Sequence, residues 1–243
     1  MIDISFIVPA YNEEALLPST LEHIRSAAAL ARQRSEVIVV DDASVDATAA
    51  VAARHGARIV SVNRRQIAAV RNAGARHALG KWLIFVDADT QVTSSVVTAA
   101  IATLKSGAAG GGCRVRFDGP LPFYARLLIA AVGPVYRGLG LAAGCFIFCS
   151  RQAFEAVGGF DETVFAAEEV ILSRVLRKQG HFVVLREYVV TSGRKLRMHS
   201  GRQVLGTLLR LALGGRSALR NREGKDIWYG ERLREKGSGK PAS

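Results

Sequence analysis

Residues 2–41 contain Ile2-Asp-Ile-Ser-Phe-Ile-Val8, an Ala/Leu/Arg-rich segment over 14–33, and then Glu36-Val-Ile-Val-Val-Asp41. The two short runs are β-rich and apolar throughout, the pattern of strands covered on both faces, and the segment between them has the length and composition of a helix. The three together form a βαβ unit. The alternation continues with a helix near 46–55, a strand near 57–62, a helix at 66–79, a strand at 82–87 and a helix at 94–105. This predicts an α/β fold with a Rossmann-like, doubly wound, mainly parallel sheet. In such sheets ligands bind beyond the C-terminal strand ends. Pro9-Ala10-Tyr11-Asn12-Glu13, Asp41-Asp42 and Asp87-Ala88-Asp89 all fall at such ends, so three polar clusters are expected on one edge.

After Gly107 the chain reads Gly-Ala-Ala-Gly-Gly-Gly and then a Pro/Gly-punctuated apolar segment from Leu121 to Gly144. This composition suggests loops and short helices instead of another βα repeat. Gly144 to Ser150 reads as a strand, Arg151 to Val157 as a short helix, Glu168 to Gln179 as a helix and His181 to Leu185 as a strand. Residues 201–220 place Val204, Leu205, Leu208, Leu209, Leu211 and Leu213 among arginines, a basic amphipathic helical pattern broken at Gly214-Gly215. The last fifteen or so residues are expected to be disordered.

The 243 residues, 49% of them hydrophobic, suffice for one well-buried domain with a small appendage. Lys and Arg exceed Asp and Glu by 33 to 21, and much of the excess lies beyond residue 193. A basic tail fits anionic lipid, nucleic acid or an acidic substrate. Between 193 and 243 the only aromatics are Trp228 and Tyr229, too few for the stacking that single-strand binders use, so nucleic acid is not an expected partner. Cys113, Cys145 and Cys149 are odd in number and lack metal-ligand spacing, and the N-terminus opens on a strand without a signal-peptide pattern. A cytoplasmic protein follows, at most peripheral at the inner face of a membrane. The apolar stretch 127–150 is interrupted by Arg137, Pro134 and several glycines, so no spanning helix is expected.

Asp87-Ala88-Asp89 closes the apolar run Trp82-Leu-Ile-Phe-Val86, which puts two carboxylates where a buried strand meets a loop. Carboxylates so placed suit a hard cation, Mg2+ or Mn2+, whose remaining positions are filled by water and substrate phosphates. Tyr11 offers an aromatic face to a nucleobase, and Asp41 and Asp42 offer acceptors for a base imide, or caps for the following helix. Arg71, with Arg64 and Arg65 before it, can meet phosphate oxygens bidentately. Glu168 and Glu169 can serve as a proton acceptor or stabilise a helix N-terminus.

Ser5-Phe-Ile-Val-Pro-Ala-Tyr-Asn-Glu-Glu14, Val37-Ile-Val-Val-Asp-Asp-Ala-Ser-Val-Asp-Ala-Thr48, Phe85-Val-Asp-Ala-Asp89, Arg71-Asn-Ala-Gly74 and Val157-Gly-Gly-Phe-Asp-Glu162 with Glu168-Glu169 resemble family 2 glycosyltransferases, across about three quarters of the chain. The resemblance implies a GT-A domain over 1–193, with a nucleotide-binding half of about 1–106 and an acceptor and catalytic half of about 107–193. A basic helical tail follows over 194–243. It implies inverting, metal-dependent transfer of a sugar from a nucleotide-diphosphate donor, UDP-linked in most members with GDP-mannose open, to a hydroxyl acceptor.

The resemblance also assigns roles. Pro9, Ala10, Tyr11 and Glu13 line the base and ribose pocket, Asp41 ahead of Asp42 meets the base, and Arg71 meets phosphate. Asp87 and Ala88 lie on the nucleotide, Asp89 holds the metal, and Asp87 serves the ribose or, through water, the metal. Glu169 is the base, with Glu168 as the alternative, although Glu-Glu stands where the family usually carries Glu-Asp. A returning His199 is a further candidate metal ligand. A lipid-linked acceptor and peripheral membrane contact fit the apolar 121–149 segment and the cationic helix with Arg202, Arg210 and Arg216. The alternative from another class is a non-catalytic sugar-nucleotide-binding or membrane-recruited scaffold of the same fold.

Overall fold

A computed structural model describes residues 1–213 and 215–221. Gly214 and residues 222–243, which include Arg222, Trp228, Tyr229 and the end expected to be disordered, lie outside the described residues. The first half of the chain follows the expected alternation: β1 (Ile4–Ala10), α1 (Leu17–Leu30), β2 (Ser35–Asp42), α2 (Thr48–Arg54), β3 (Arg58–Val62), α3 (Ile67–His77), β4 (Trp82–Val86), a two-residue β5 (Thr90–Gln91) and α4 (Ser94–Lys105). The second half holds β6 (Gly110–Phe117), α5 (Phe123–Gly138), β7 (Phe146–Ser150), α6 (Arg151–Ala156), α7 (Glu168–Leu176), β8 (Phe182–Thr191), α8 (Arg194–Met198), α9 (Gly201–Leu213) and α10 (Gly215–Arg220).

One eight-stranded sheet runs in the order β3-β2-β1-β4-β7-β6-β8-β5. The pairs β1–β2, β1–β4, β2–β3 and β6–β8 are parallel. β7 is inserted antiparallel between β4 and β6, and β5 pairs antiparallel with β8. β1 is buried at every position. Its side chains alternate between two cores: Ile4, Phe6 and Val8 pack with Leu17, Leu21, Ile24 and Val96, and Ile7 packs with Val40, Val70, Leu83 and Phe85. A strand with both faces covered in this way is nearly all apolar, and its buried Ser5 is satisfied, its hydroxyl donating to Glu36 Oε1 at 2.7 Å and accepting the Gly80 amide at 2.8 Å.

Three expectations are corrected beyond residue 107. Residues 110–117 form a strand, not a loop, because the glycines serve close packing: a Cβ on Gly111 would lie 2.4 Å from the Phe148 ring, and one on Gly112 2.5 Å from Ala142 Cβ. Residues 123–138 form one long helix despite Pro134 within it. β8 continues to Thr191, six residues past the expected end, paired with β6 along its length apart from one irregularity near Gly112. Among the described residues no helix is long and apolar enough to cross a membrane. Cys113, Cys145 and Cys149 are buried and unbridged, and burial pushes the Cys113 thiol up to about 12, which keeps it protonated and inert near neutrality.

Candidate active site

A cleft of about 320 Å³ opens at the C-terminal ends of β1 and β4. Pro9 and Glu13 reach it from the end of β1 and the loop beyond, Asp87, Ala88 and Asp89 from the loop after β4, and Glu168 and Glu169 from α7. Ala10 is buried at the end of β1. The loops after β1 and β2 are stitched together beside the cleft: the Asn12 amide donates to Ser44 Oγ at 3.0 Å, the Val45 amide to Asn12 Oδ1 at 2.9 Å and the Glu13 amide to Thr48 Oγ1 at 2.8 Å. Asn12, Ala43, Arg65 and Ala167 all take positive φ. A non-glycine residue holds that conformation only where its surroundings impose it, and all four border this edge of the sheet.

Tyr11, Asp41 and Asp42 lie next to the cleft but do not line it. The Arg65 guanidinium stacks over the Tyr11 ring at 3.7 Å, so one face of the ring is already covered. Asp42 is taken up structurally: Oδ1 accepts the Arg64 amide at 2.6 Å and Oδ2 the Arg65 amide at 2.9 Å, which pins the loop between β3 and α3. Among the described residues Asp41 accepts only the Ser44 amide, at a longer 3.3 Å. Of the two aspartates, Asp41 therefore keeps the greater capacity to accept from a base.

Helix α3 explains the Arg71-Asn-Ala-Gly74 motif. A Cβ on Gly74 would lie 2.4 Å from Ile7 Cγ2, so the helix sits directly on the sheet. Asn72 donates from Nδ2 to Phe160 O and Glu162 Oε1, both at 2.9 Å, and accepts the Phe160 amide at 2.9 Å. Gln66 adds 2.7 Å bonds to the carbonyls of Glu162 and Val164. Gly159, at φ 79°, must come close enough that a Cβ would lie 2.7 Å from Asn72 Oδ1. α3 thereby holds the segment leading to α7.

Arg71, expected at the phosphate, lines the cleft and is held by carboxylates. It is 2% exposed, and its guanidinium donates to Glu168 Oε1, Asp87 Oδ1 and the Gly144 carbonyl, each at 2.8 Å. Burial alone would lower its pKa, but Asp87 and Glu168 more than offset this and hold it charged. The physical reason is the carboxylate pair: the buried Glu168 and the half-buried Asp87 come from different elements and need a cation between them.

Glu168 and Glu169 occupy the first turn of α7, whose N-cap, Ala167, takes the left-handed conformation. Glu168 is engaged by Arg71, whereas Glu169 stands at the cleft wall outside that pair. Burial, and then the Glu168 carboxylate, push Glu169 up to about 8, against the partial compensation of Arg71. Tyr136 of α5 lines the same cleft, and burial beside Glu169 and Glu168 pushes its hydroxyl up to about 12.

Arg194 and Lys195, read from the sequence only as tail cations, belong to the site. Lys195 lines the cleft. Arg194 Nη2 bridges Glu13 Oε1 and, at 3.4 Å, Asp89 Oδ2. The signal that could have located them is the polar Thr191-Ser192-Gly193-Arg194 run after an apolar strand, the same pattern as Asp87-Ala88-Asp89. For His199 the structure gives backbone contacts, its carbonyl accepting the Tyr124 hydroxyl at 2.8 Å.

Among the described residues no three His, Cys, Asp or Glu side chains cluster as a self-sufficient metal site. The donor chemistry nevertheless fits a hard cation shared with substrate phosphates. The cleft is lined by five carboxylates, Glu13, Asp87, Asp89, Glu168 and Glu169, against Arg71 and Lys195, and one or two carboxylates are what such a cation takes from protein.

A family model described as Glycosyl transferase family 2 matches residues 5–158. A dolichyl-phosphate beta-glucosyltransferase of Drosophila melanogaster is 43% identical over 102 residues, 36% of this chain and 31% of the relative. An undecaprenyl-phosphate 4-deoxy-4-formamido-L-arabinose transferase of Shewanella sediminis is 31% identical over 161 residues, 61% of this chain and 48% of the relative. The matches thus span about a third to a half of these relatives' length. A mannosyltransferase from Pyrobaculum calidifontis, solved with GDP-Man and Mn2+, superposes with a TM-score of 0.66 at 22% identity, over 93% of this chain and 68% of that one. The fold is the GT-A fold.

Proposed function

The chain belongs to glycosyl transferase family 2, and from that premise we propose that it transfers a sugar, with inversion, from a nucleoside diphosphate sugar to a hydroxyl acceptor. The observation that carries the reading is the position of Glu169: a carboxylate pushed up to about 8 on the wall of the cleft that also presents Asp87 and Asp89. A base working near neutral pH needs a pKa in that range.

Pro9, Ala10 and Glu13, with Tyr11 and Asp41 beside them, bind the nucleoside. Asp89 and Asp87 would hold a Mg2+ or Mn2+ ion, whose chemistry there would be to offset charge on the departing diphosphate. Arg71 positions Asp87 and Glu168. Glu169 accepts the proton of the acceptor hydroxyl as that oxygen attacks the anomeric carbon opposite the diphosphate. One displacement of this kind inverts the configuration without a covalent sugar–protein intermediate.

The acceptor side is formed by α5, which carries Tyr136 to the cleft and exposes Phe123, Leu127 and Val135, with Leu139 exposed just beyond its end. Leu205 and Leu209 of α9 are also exposed, beside the exposed Arg202 and Arg210. α9 begins against α5, where a Cβ on Gly201 would lie 3.0 Å from the Tyr124 ring. An apolar surface with flanking cations suits a membrane face and a lipid-linked acceptor. Two relatives are named for dolichyl phosphate and undecaprenyl phosphate, which supports a lipid at this face, while the hydroxyl as attacking group rests on Glu169.

The test is calorimetric titration of UDP and GDP, with and without Mn2+, into the wild type and Asp89→Ala, followed by transfer assays with the matching sugar nucleotides. Metal-dependent binding of one nucleotide, lost in the variant, and then sugar transfer, is the expected result. Binding without transfer to any hydroxyl acceptor favours the scaffold. Folded protein that binds neither nucleotide rejects the proposal.

A further inference from the structure

Glu13 and Asp89 approach one another from the loops after β1 and β4, with side chains 3% and 10% exposed. Carboxylates so deeply placed need a cation, and Arg194 provides it, one terminal nitrogen reaching both. The backbone that carries Arg194 is anchored without using its side chain. Thr90 Oγ1 donates to Thr191 Oγ1 at 2.8 Å, the Ser192 amide to Asp89 O at 3.1 Å and the Gly193 amide to Asp118 Oδ1 at 2.7 Å. The guanidinium can therefore turn away while residues 191–193 stay in register with the Asp89 loop.

A divalent cation on Asp89 would take the carboxylate that Arg194 now shares, and two cations so close repel. A diphosphate arriving with the metal brings new acceptors, and a guanidinium matches phosphate oxygens bidentately. We infer that Arg194 is an exchangeable counterion. In the donor-free protein it neutralises Asp89 and Glu13; when metal and nucleoside diphosphate enter, it leaves Asp89 and turns to the diphosphate oxygens, with Glu13 as its remaining anchor. This rests on the sugar-nucleotide reading of the cleft. It predicts that the metal alone binds weakly and that metal and nucleotide bind cooperatively, each improving the other's affinity by the same factor.

The experiment titrates Mn2+ alone, and then UDP and GDP at saturating Mn2+, into the wild type, Arg194→Gln and Arg194→Lys, with thermal melts to verify folding. Arg194→Gln should bind Mn2+ alone about tenfold more tightly and the nucleotide about tenfold more weakly, within the range of couplings between adjacent sites. Arg194→Lys keeps the charge and should stay near the wild type for Mn2+ alone, falling between the two for nucleotide. Unchanged or weaker Mn2+ affinity in Arg194→Gln overturns the competition, and unchanged nucleotide affinity overturns the transfer to diphosphate. A wild type that binds Mn2+ but neither nucleotide refutes the donor reading and the diphosphate half with it, while the Mn2+ comparison still decides the counterion half.

Discussion

Arg71 Nη1 lies 2.8 Å from Glu168 Oε1, a bond across 97 positions of sequence that joins the helix seated on the sheet to the first turn of α7. The same guanidinium holds Asp87 from its other terminal nitrogen. One buried cation thus sets the spacing between the acidic loop after β4 and the glutamates.

Arg71→Ala should cost about 3–5 kcal/mol of stability, because it leaves the buried Glu168 and the half-buried Asp87 without a counter-charge. Arg71→Lys keeps the charge but not the fork, and should fold with reduced transfer. Denaturant unfolding and steady-state kinetics check both. A direct phosphate ligand would behave oppositely, with nucleotide affinity lost and stability kept.

Glu169→Gln should lower transfer to a hydroxyl by about 10²- to 10⁴-fold while leaving nucleotide binding intact. The wild-type rate should rise with pH and level off above about 8, as the carboxylate becomes the proton acceptor. A phosphate acceptor, already anionic near neutrality, would need no base, and its transfer would survive the substitution.

The raised value has a stability counterpart. The folded state favours protonated Glu169, so the stability it confers is fully present below its ordinary value of 4.5 and is lost as pH climbs to about 8. Glu169→Gln removes that loss. Its melting temperature should exceed the wild type's at pH 9 by a few degrees, and the gap should close at pH 4, as measured by thermal melts.

Asn72→Ala breaks three bonds to the 160–162 segment and leaves the buried Phe160 amide without its acceptor. A destabilisation of about 1–3 kcal/mol is expected from one such orphaned group. kcat should fall further than nucleotide affinity, because the segment leads to Glu169 and not to the nucleoside loops. Calorimetric titration and kinetics of the variant separate the two.

The double variant Arg202→Glu, Arg210→Glu should lose sedimentation with anionic vesicles while retaining nucleotide binding. Each cation near such a surface contributes about 1 kcal/mol. Equal sedimentation of variant and wild type rejects the membrane reading of α5 and α9.

The sequence by itself determined the first half of the fold and where the site would lie. Strands β1, β2 and β4 are apolar on both faces because helices cover them, and that requirement is written in consecutive residues; the polar turns that end them therefore mark the ligand edge. Asp87 and Asp89 were legible for the same reason, and Glu168 and Glu169 through their resemblance to the family's acidic pair. Beyond residue 107 local composition misled, because the glycines of β6 serve packing against Phe148 and Ala142, partners far along the chain. The tasks of individual charges were also decided only in three dimensions. Arg71 joins two carboxylates, Asp42 pins a loop and Arg194 meets Asp89, since a buried charge takes whatever partner the fold brings to it, and sequence distance carries no record of that pairing.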